Sequence, residues 1–415
     1  MLTIMGSGET SPTMVTVHRQ VAALLPAGSP AVLIETPYGF QENVASISAK
    51  AERYFAGSVG LTVRTAPGLR GGDPPSEDAD RGLAMVRSAG WLFSGPGSPT
   101  YAMRWWRPGA VAQALHDRLR QHRGITVFAS AAAATLGRWT VPVYEIYKAG
   151  EPARWAEGLD LLRHLDLRVA LVPHYDNTEG GTGFDTRYCY LGERRLRAME
   201  WQLPEDAAVL GVDEHTAVHI DPSAGTVRVA GRGGLTVRRR GHSTVLPTGT
   251  SLGLGELRAL AHHGTAAVVI PRQPGPPAAE TIAEPTVAEV AAACERRFDA
   301  ALARRNADGL ARAILDLEES VHAWSTDTEE DDGAEQARAV LRTLILRLAQ
   351  ATAEGLRDPA ERLGPLVERL IDVRAGLRER QDFAGADALR AALTAAGVEL
   401  RDGTEGATWL VTGPR

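Results

Sequence analysis

The chain has 415 residues, enough for two or three domains at roughly 100–200 residues each. A composition 44% hydrophobic and 23% charged excludes a collagen-like or wholly disordered polymer. The formal charge of −6 is uneven: residues 286–415 hold 17 basic and 24 acidic side chains, a balance of −7, and the rest is near neutral at +1.

Candidate strands fall at residues 2–5, 31–35, 61–65, 91–93, 125–129 and 169–172, short apolar runs that each end in a turn or glycine-bearing loop. Between them lie helical patterns, for example at 14–25, 108–121 and 187–200. This alternation predicts a parallel sheet covered on both faces. Beyond Val209 the pattern changes to short β-rich runs broken by Pro-Ser-Ala-Gly and Gly-Arg-Gly-Gly, which predicts hairpins at the sheet edge. The run PRQPGPPAAETIAEP carries five prolines and reads as a stiff linker. The organisation expected is an α/β domain over 1–268, a linker over 269–285 and a helical domain over 286–415. In that last part helices are expected at 287–304, 309–324, 334–355 and 365–380, with a small hairpin around 398–411. The acidic stretch STDTEEDDG reads as a solvated loop.

Candidate chemistry centres on ITVFASAAAATLG. An apolar strand runs into Ser130, followed by small residues able to open a helix, the layout of a nucleophile elbow. The helix start would offer N–H groups to a developing oxyanion. The loop FSGPGSPTY follows one strand, LVPHYDN places His174 past another, and GVDEHTAV places Asp213, Glu214 and His215 at a third strand end. Polar groups beyond the carboxyl ends of parallel strands are where such sheets build sites. The two cysteines, Cys189 and Cys294, form no CxxC pair, and the histidines show no H-x-x-x-H spacing; no catalytic metal and no cofactor are expected. No run of ~20 apolar residues occurs, so no membrane partner is expected. The start MLTIMGSGET has no basic, apolar leader and reads as cytoplasmic.

Over about residues 1–255 these segments resemble the peptidase S51 group, which includes dipeptidase E and cyanophycinase, within the class I glutamine-amidotransferase-like superfamily. The resemblance implies a flavodoxin-like three-layer α/β fold and a serine hydrolase acting on a small peptide or amide. Ser130 stands at the place of the nucleophile, His174 at that of the general base, and Glu145 at the fifteen-residue spacing of the carboxylate. Gly97 and Ala131 would supply the oxyanion N–H groups. Gly8, Glu9, Ser98, Asp185, Arg187 and Glu214 are the candidate substrate contacts. Two departures stand out: Ala132 replaces a glycine of the elbow, and Pro96, which has no N–H, replaces one of the loop. A non-catalytic relative of the fold is the alternative these departures raise.

The tail, most clearly LIDVRAGLRERQDFAGADALRAALTAAGVELRDGTEGATWLV, resembles the C-terminal end of cysteinyl-tRNA synthetase. No HIGH-type or KMSKS-type sequence is present, so aminoacylation is not expected. The resemblance implies a tRNA partner, with Arg374, Arg378 and Trp409 as candidate RNA contacts. The acidic balance of the tail argues against it, since phosphate binding rests on Lys and Arg. An amphipathic bundle serving a homodimer is the other expectation.

Overall fold

The computed structural model describes residues 1–72, 76–181, 183–264, 284–327, 332–355, 359–403 and 406–412. The chain divides into two compact units. One is Met1–Thr286 with His322–Asp332; the other is Val287–Val321 with Gly333–Arg415. Of the expected linker only Glu284 and Pro285 fall among the described residues.

The first unit begins with β1 (Leu2–Met5), β2 (Ala31–Leu33), β3 (Val63–Thr65), β4 (Trp91–Ser94) and β5 (Ile125–Ala129). It continues through β6 (Trp139–Thr140), β7 (Ala156–Glu157), β8 (Val169–Val172) and β9 (Ala208–Val212). It ends with β10 (Thr216–Asp221), β11 (Thr226–Gly231), β12 (Gly234–Arg239), β13 (His242–Pro247) and β14 (Ser251–Gly253). One sheet has the order β14-β11-β10-β1-β5-β4-β2-β3, and a second the order β13-β12-β9-β8-β6-β7. The run from β1 to β3 is parallel, as the alternation predicts. The later strands are mixed: β10 and β11 are antiparallel, but β9 lies parallel to β8. The hairpins expected past Val209 do lie at sheet edges: β10–β11 extends the first sheet beyond β1, with β14 outermost, and β12–β13 ends the second sheet.

Alternation along the strands sorts the core into two faces. Leu2, Ile4 and Phe128 join one buried cluster, whereas Met5, Ile125, Val127 and Ala129 join another with Val17, Val21 and Tyr54 from covering helices. Strands buried on both sides are mostly apolar, and β1, β4, β5 and β8 are fully buried, with Thr3, Ser94 and Thr126 the polar residues among them. The strand expected at 31–35 stops at Leu33, because Pro37 belongs to a 3-10 turn, Thr36–Tyr38. The helix expected from 187 starts only at Gly192, because Tyr188, Cys189 and Tyr190 all take positive φ.

The second unit contains the helices Val287–Ala303, Ala307–Ala323, Asp332–Glu354 and Pro359–Glu379. A further helix, Phe383–Ala395, is capped by Asp382, whose carboxylate accepts from Gly385 N at 2.9 Å. A hairpin of β15 (Val398–Gly403) and β16 (Gly406–Val411) closes the unit. Val367, Leu393, Val398 and Leu400 form its buried centre, with Trp409 packed against them.

The acidic stretch is not simply solvated. Trp324 is 5% exposed and Asp327 is half-buried, and both belong to the first unit. Residues 328–331 of that stretch lie outside the described residues.

Candidate active site

Strand β5 delivers Ser130. Ala129 is still extended, at φ −126° and ψ 156°, and the next residue turns abruptly to φ 45°. A serine held in the left-handed region costs of order 1–3 kcal/mol, so the surroundings must enforce it. They are small and fully enclosed: Ala131, Ala132, Ala133 and Ala134 are buried, and Ala132 N donates to Gly95 O at 3.1 Å. The positive φ falls on Ser130 and not on Ala132, so alanine in place of the elbow glycine is accommodated without strain.

His174 stands just past β8, also in the left-handed region at φ 48°. Ser130 Oγ lies 2.9 Å from His174 Nε2, and His174 Nδ1 lies 2.8 Å from Glu214 Oε1. With Glu214 ionised, Nδ1 carries the proton and donates, leaving Nε2 to accept from the serine hydroxyl. Glu214 is fixed in turn. Its Oε1 also accepts from Asn177 Nδ2 at 2.8 Å, and its N–H donates to Asp176 Oδ1 at 2.7 Å. Burial alone would raise its pKa, but the hydrogen bonds from His174 and Asn177 and the adjacent imidazole together hold it below the usual value. Two neighbours go the other way: burial raises Asp176, and burial and Asp176 push Asp213 up to about 6.

Glu145 is not at the imidazole. Its Oε1 accepts from Thr100 Oγ1 at 2.7 Å, and Thr100 contacts Ser98 Oγ at 3.0 Å. The carboxylate that the fold places at the imidazole is Glu214, which the sequence reading had placed among the substrate contacts, and not Glu145. The short helix Val143–Tyr147 carries Glu145 to the loop after β4 instead.

That loop has the backbone the sequence demanded. Gly97 sits at φ 125°, and a Cβ there would collide with the Pro37 carbonyl. Ser98 N donates to Pro37 O at 2.7 Å, and its hydroxyl caps the helix Pro99–Trp106 by accepting from Tyr101 N at 3.2 Å. Ser98 is therefore a structural cap as well as a loop residue. Gly8 and Glu9 follow β1, whose Met5 pairs with Ala129 of β5, so their turn lies beside the strand end that carries Ser130. Glu9 is fully buried, its carbonyl bonded to His18 Nε2 at 2.7 Å. A Cβ on Gly95 would come within 2.6 Å of Glu9 Oε1, so that glycine makes room for the carboxylate.

Asp185 and Arg187 engage each other at 2.8 and 3.0 Å, and Asp185 Oδ2 also accepts from Glu193 N at 3.0 Å. Asp185 thereby tethers the first turn of the helix Gly192–Glu200, while both side chains stay exposed. Glu193 forks onto the buried guanidinium of Arg238 at 2.9 and 2.8 Å. Sequence reasoning did not pick out Asn177, Asp176 or Arg238. The run H-Y-D-N past a strand was the available signal for the first two.

In the second unit Arg374 is 5% exposed and forks onto Asp402 at 2.7 and 3.0 Å. Arg378 and Arg390 lie at 3.8 and 3.2 Å from the same carboxylate. Asp402 pairs with both arginines expected to meet RNA, and Trp409 packs against the unit's core. Among the described residues no cluster of three His, Cys, Asp or Glu is placed to hold a metal ion, and no helix is long and apolar enough to cross a membrane.

No protein-family model matches the sequence. The C-terminal helical region is homologous to cysteine–tRNA ligases. The ligase of Arthrobacter sp. (strain FB24) is 35% identical over 104 residues, 24% of this chain and 21% of that protein. That of Anaeromyxobacter dehalogenans (strain 2CP-C) is 46% identical over 83 residues, 19% of this chain and 17% of that protein. The chain thus spans about a fifth of the length of these curated relatives. Over the N-terminal part the structural neighbours are peptidases. A peptidase from an acI-B1 Actinobacterium aligns with a TM-score of 0.48 at 20% identity, over 61% of this chain and 96% of that one. A putative peptidase E protein from Listeria monocytogenes EGD-e aligns with a TM-score of 0.39 at 14% identity, over 55% and 97%.

Proposed function

We propose that the first unit is a serine hydrolase that cleaves a small peptide or amide. The observation that carries this reading is the unbroken row from Ser130 Oγ to His174 at 2.9 Å and from His174 to Glu214 at 2.8 Å, at the carboxyl ends of three strands. Ser130 attacks the carbonyl carbon while its proton passes to His174 Nε2. Glu214 holds the tautomer and stabilises the imidazolium. The N–H groups of Ala131 and Gly97 receive the oxyanion; Pro96 has no donor to lose from this pair. On collapse the C–N bond breaks and His174 returns the proton to the leaving amine. Water, deprotonated by the same imidazole, then releases the acyl group from Ser130. An alkyl fluorophosphonate tests the reading: it should label the wild type at Ser130 and leave Ser130→Ala unlabelled, and equal labelling of both would overturn it.

A second reading concerns the helical unit. Its sequence likeness to cysteine–tRNA ligases supports contact with tRNA. The full chain should then retard a tRNA in a low-salt gel and lose it steeply as salt rises; no retardation at low salt removes this reading.

A further inference from the structure

Three features outside the row described above invite a function. The His116–His164 pair, 3.0 Å apart, has no third ligand among the described residues. The exposed apolar face of Ile345 and Leu346 has nothing to say what covers it. The third is the short segment that the sequence assigns to the tail and the fold assigns to the first unit, and it carries an argument.

This segment meets the turn after β1. Gly8 lies at φ 65°, and Ser11 closes the turn by donating its N–H at 2.9 Å and its hydroxyl at 2.6 Å to Gly8 O. A Cβ on Gly8 would run into the His215 ring. His215 Nδ1 lies 2.8 Å from Thr13 Oγ1, so the ring is clamped against this turn. On the ring sits Trp324, edge-on, with centroids 5.9 Å apart and planes at 78°. Three residues on, Asp327 Oδ1 accepts from Thr10 Oγ1 at 2.8 Å. The two contacts grip the turn at two points, with Glu9 next in sequence to one. The gripped ring is His215, bonded in sequence to Glu214.

From this geometry we propose that Trp324 and Asp327 are positioning residues of the Ser130 site. They act through His215 and Thr10, and hold the Glu9 turn and the Glu214 strand end in register with Ser130. The inference rests on the hydrolase reading. Neither residue touches the reacting atoms. Their contribution is that the loops meeting at the elbow keep one arrangement, and small misplacements at a reacting centre are costly.

The test uses the full chain and an alkyl fluorophosphonate: Ser130 Oγ displaces fluoride from phosphorus while the hydroxyl proton passes to His174. The rate of labelling is resolved into a binding constant and a maximal rate. Trp324→Ala should slow labelling about tenfold, and Trp324→Phe, which keeps an aromatic edge, should restore it. Thr10→Val and Asp327→Ala should each slow it by about fivefold, the weight of one hydrogen bond. Together they should slow it no more than either alone, because they break the same contact. Amide hydrogen exchange is read alongside. Residues 6–13 should lose protection in these variants while residues 125–129 keep theirs, a pattern that general loss of stability would not give. Failure of the wild type to label at all would sink the hydrolase reading, and exchange at residues 6–13 would still decide this one. Unchanged exchange there, or additive effects of Thr10→Val and Asp327→Ala, would overturn it.

Discussion

The two units treat charge in opposite ways. In the first, polar groups are drawn inward to strand ends and held there by unusual backbone: Ser130 and His174 both sit at positive φ, and Glu214 is fixed by a side chain and a neighbouring carboxylate. In the second, a buried guanidinium and two exposed ones converge on the single carboxylate of Asp402, near a small apolar centre. One arrangement leaves a hydroxyl aimed at a base; the other cancels charge. The stretch whose curated relatives are up to 51% identical is the one whose candidate RNA contacts are engaged within its own unit. Sequence likeness therefore marks a shared scaffold here, and side-chain geometry marks chemistry.

The sharpest way to break the comparison is to ask whether reactivity is confined to the first unit. Ser130→Ala should abolish fluorophosphonate labelling of the whole chain, read by intact mass. Next comes the identity of the orienting acid. Glu214→Gln should lower the labelling rate by about a thousandfold or more, the scale of losing the correct tautomer. Glu145→Gln should cost less than about tenfold, because Glu145 bonds to Thr100 and not to the imidazole. The reverse ranking would restore the carboxylate that spacing suggested.

Stability effects are smaller. Arg374→Met leaves Asp402 short of its closest partner and should lower the unfolding free energy of the second unit, read by urea denaturation, by about 1–3 kcal/mol for a lost charged hydrogen-bond pair. A smaller one concerns His18, enclosed by Tyr54, Phe55, Trp91 and Phe93. Burial, opposed by its bond to the Glu9 carbonyl, lowers its pKa to about 4. The unfolded imidazole takes a proton near pH 6.5 and the folded one does not, so the stabilising effect of its neutral form is present above 6.5 and lost as pH falls toward 4. Urea unfolding of His18→Phe should therefore decline less steeply over that interval than the wild type.

Much of this was legible in the chain. The parallel strands were, because strands buried on both faces are mostly apolar runs, and the ends of two such runs drew attention to Ser130 and His174, which the fold brings within 2.9 Å of each other. Glu145 misled because a count of residues along the chain says nothing about which strand end a side chain reaches. Glu214 becomes the partner only when β9 lies parallel to β8, and the sequence around β9 reads as a hairpin. Ser98, Asp185 and Arg187 were noticed as polar groups near glycine. Their roles as cap and ion pair depend on where two helices begin. Nothing in S-T-D-T-E-E-D-D suggested burial nearby, since the contact of Asp327 is made by a residue 317 positions away.

That separation has a meaning for synthesis. The turn after β1 is translated 317 residues before the aspartate that grips it. Contacts so distant in sequence form late. A nascent chain that has completed every strand of the first unit still lacks Trp324 and Asp327. On the hydrolase and positioning readings proposed above, full reactivity of Ser130 should therefore arrive only once translation has passed Asp327.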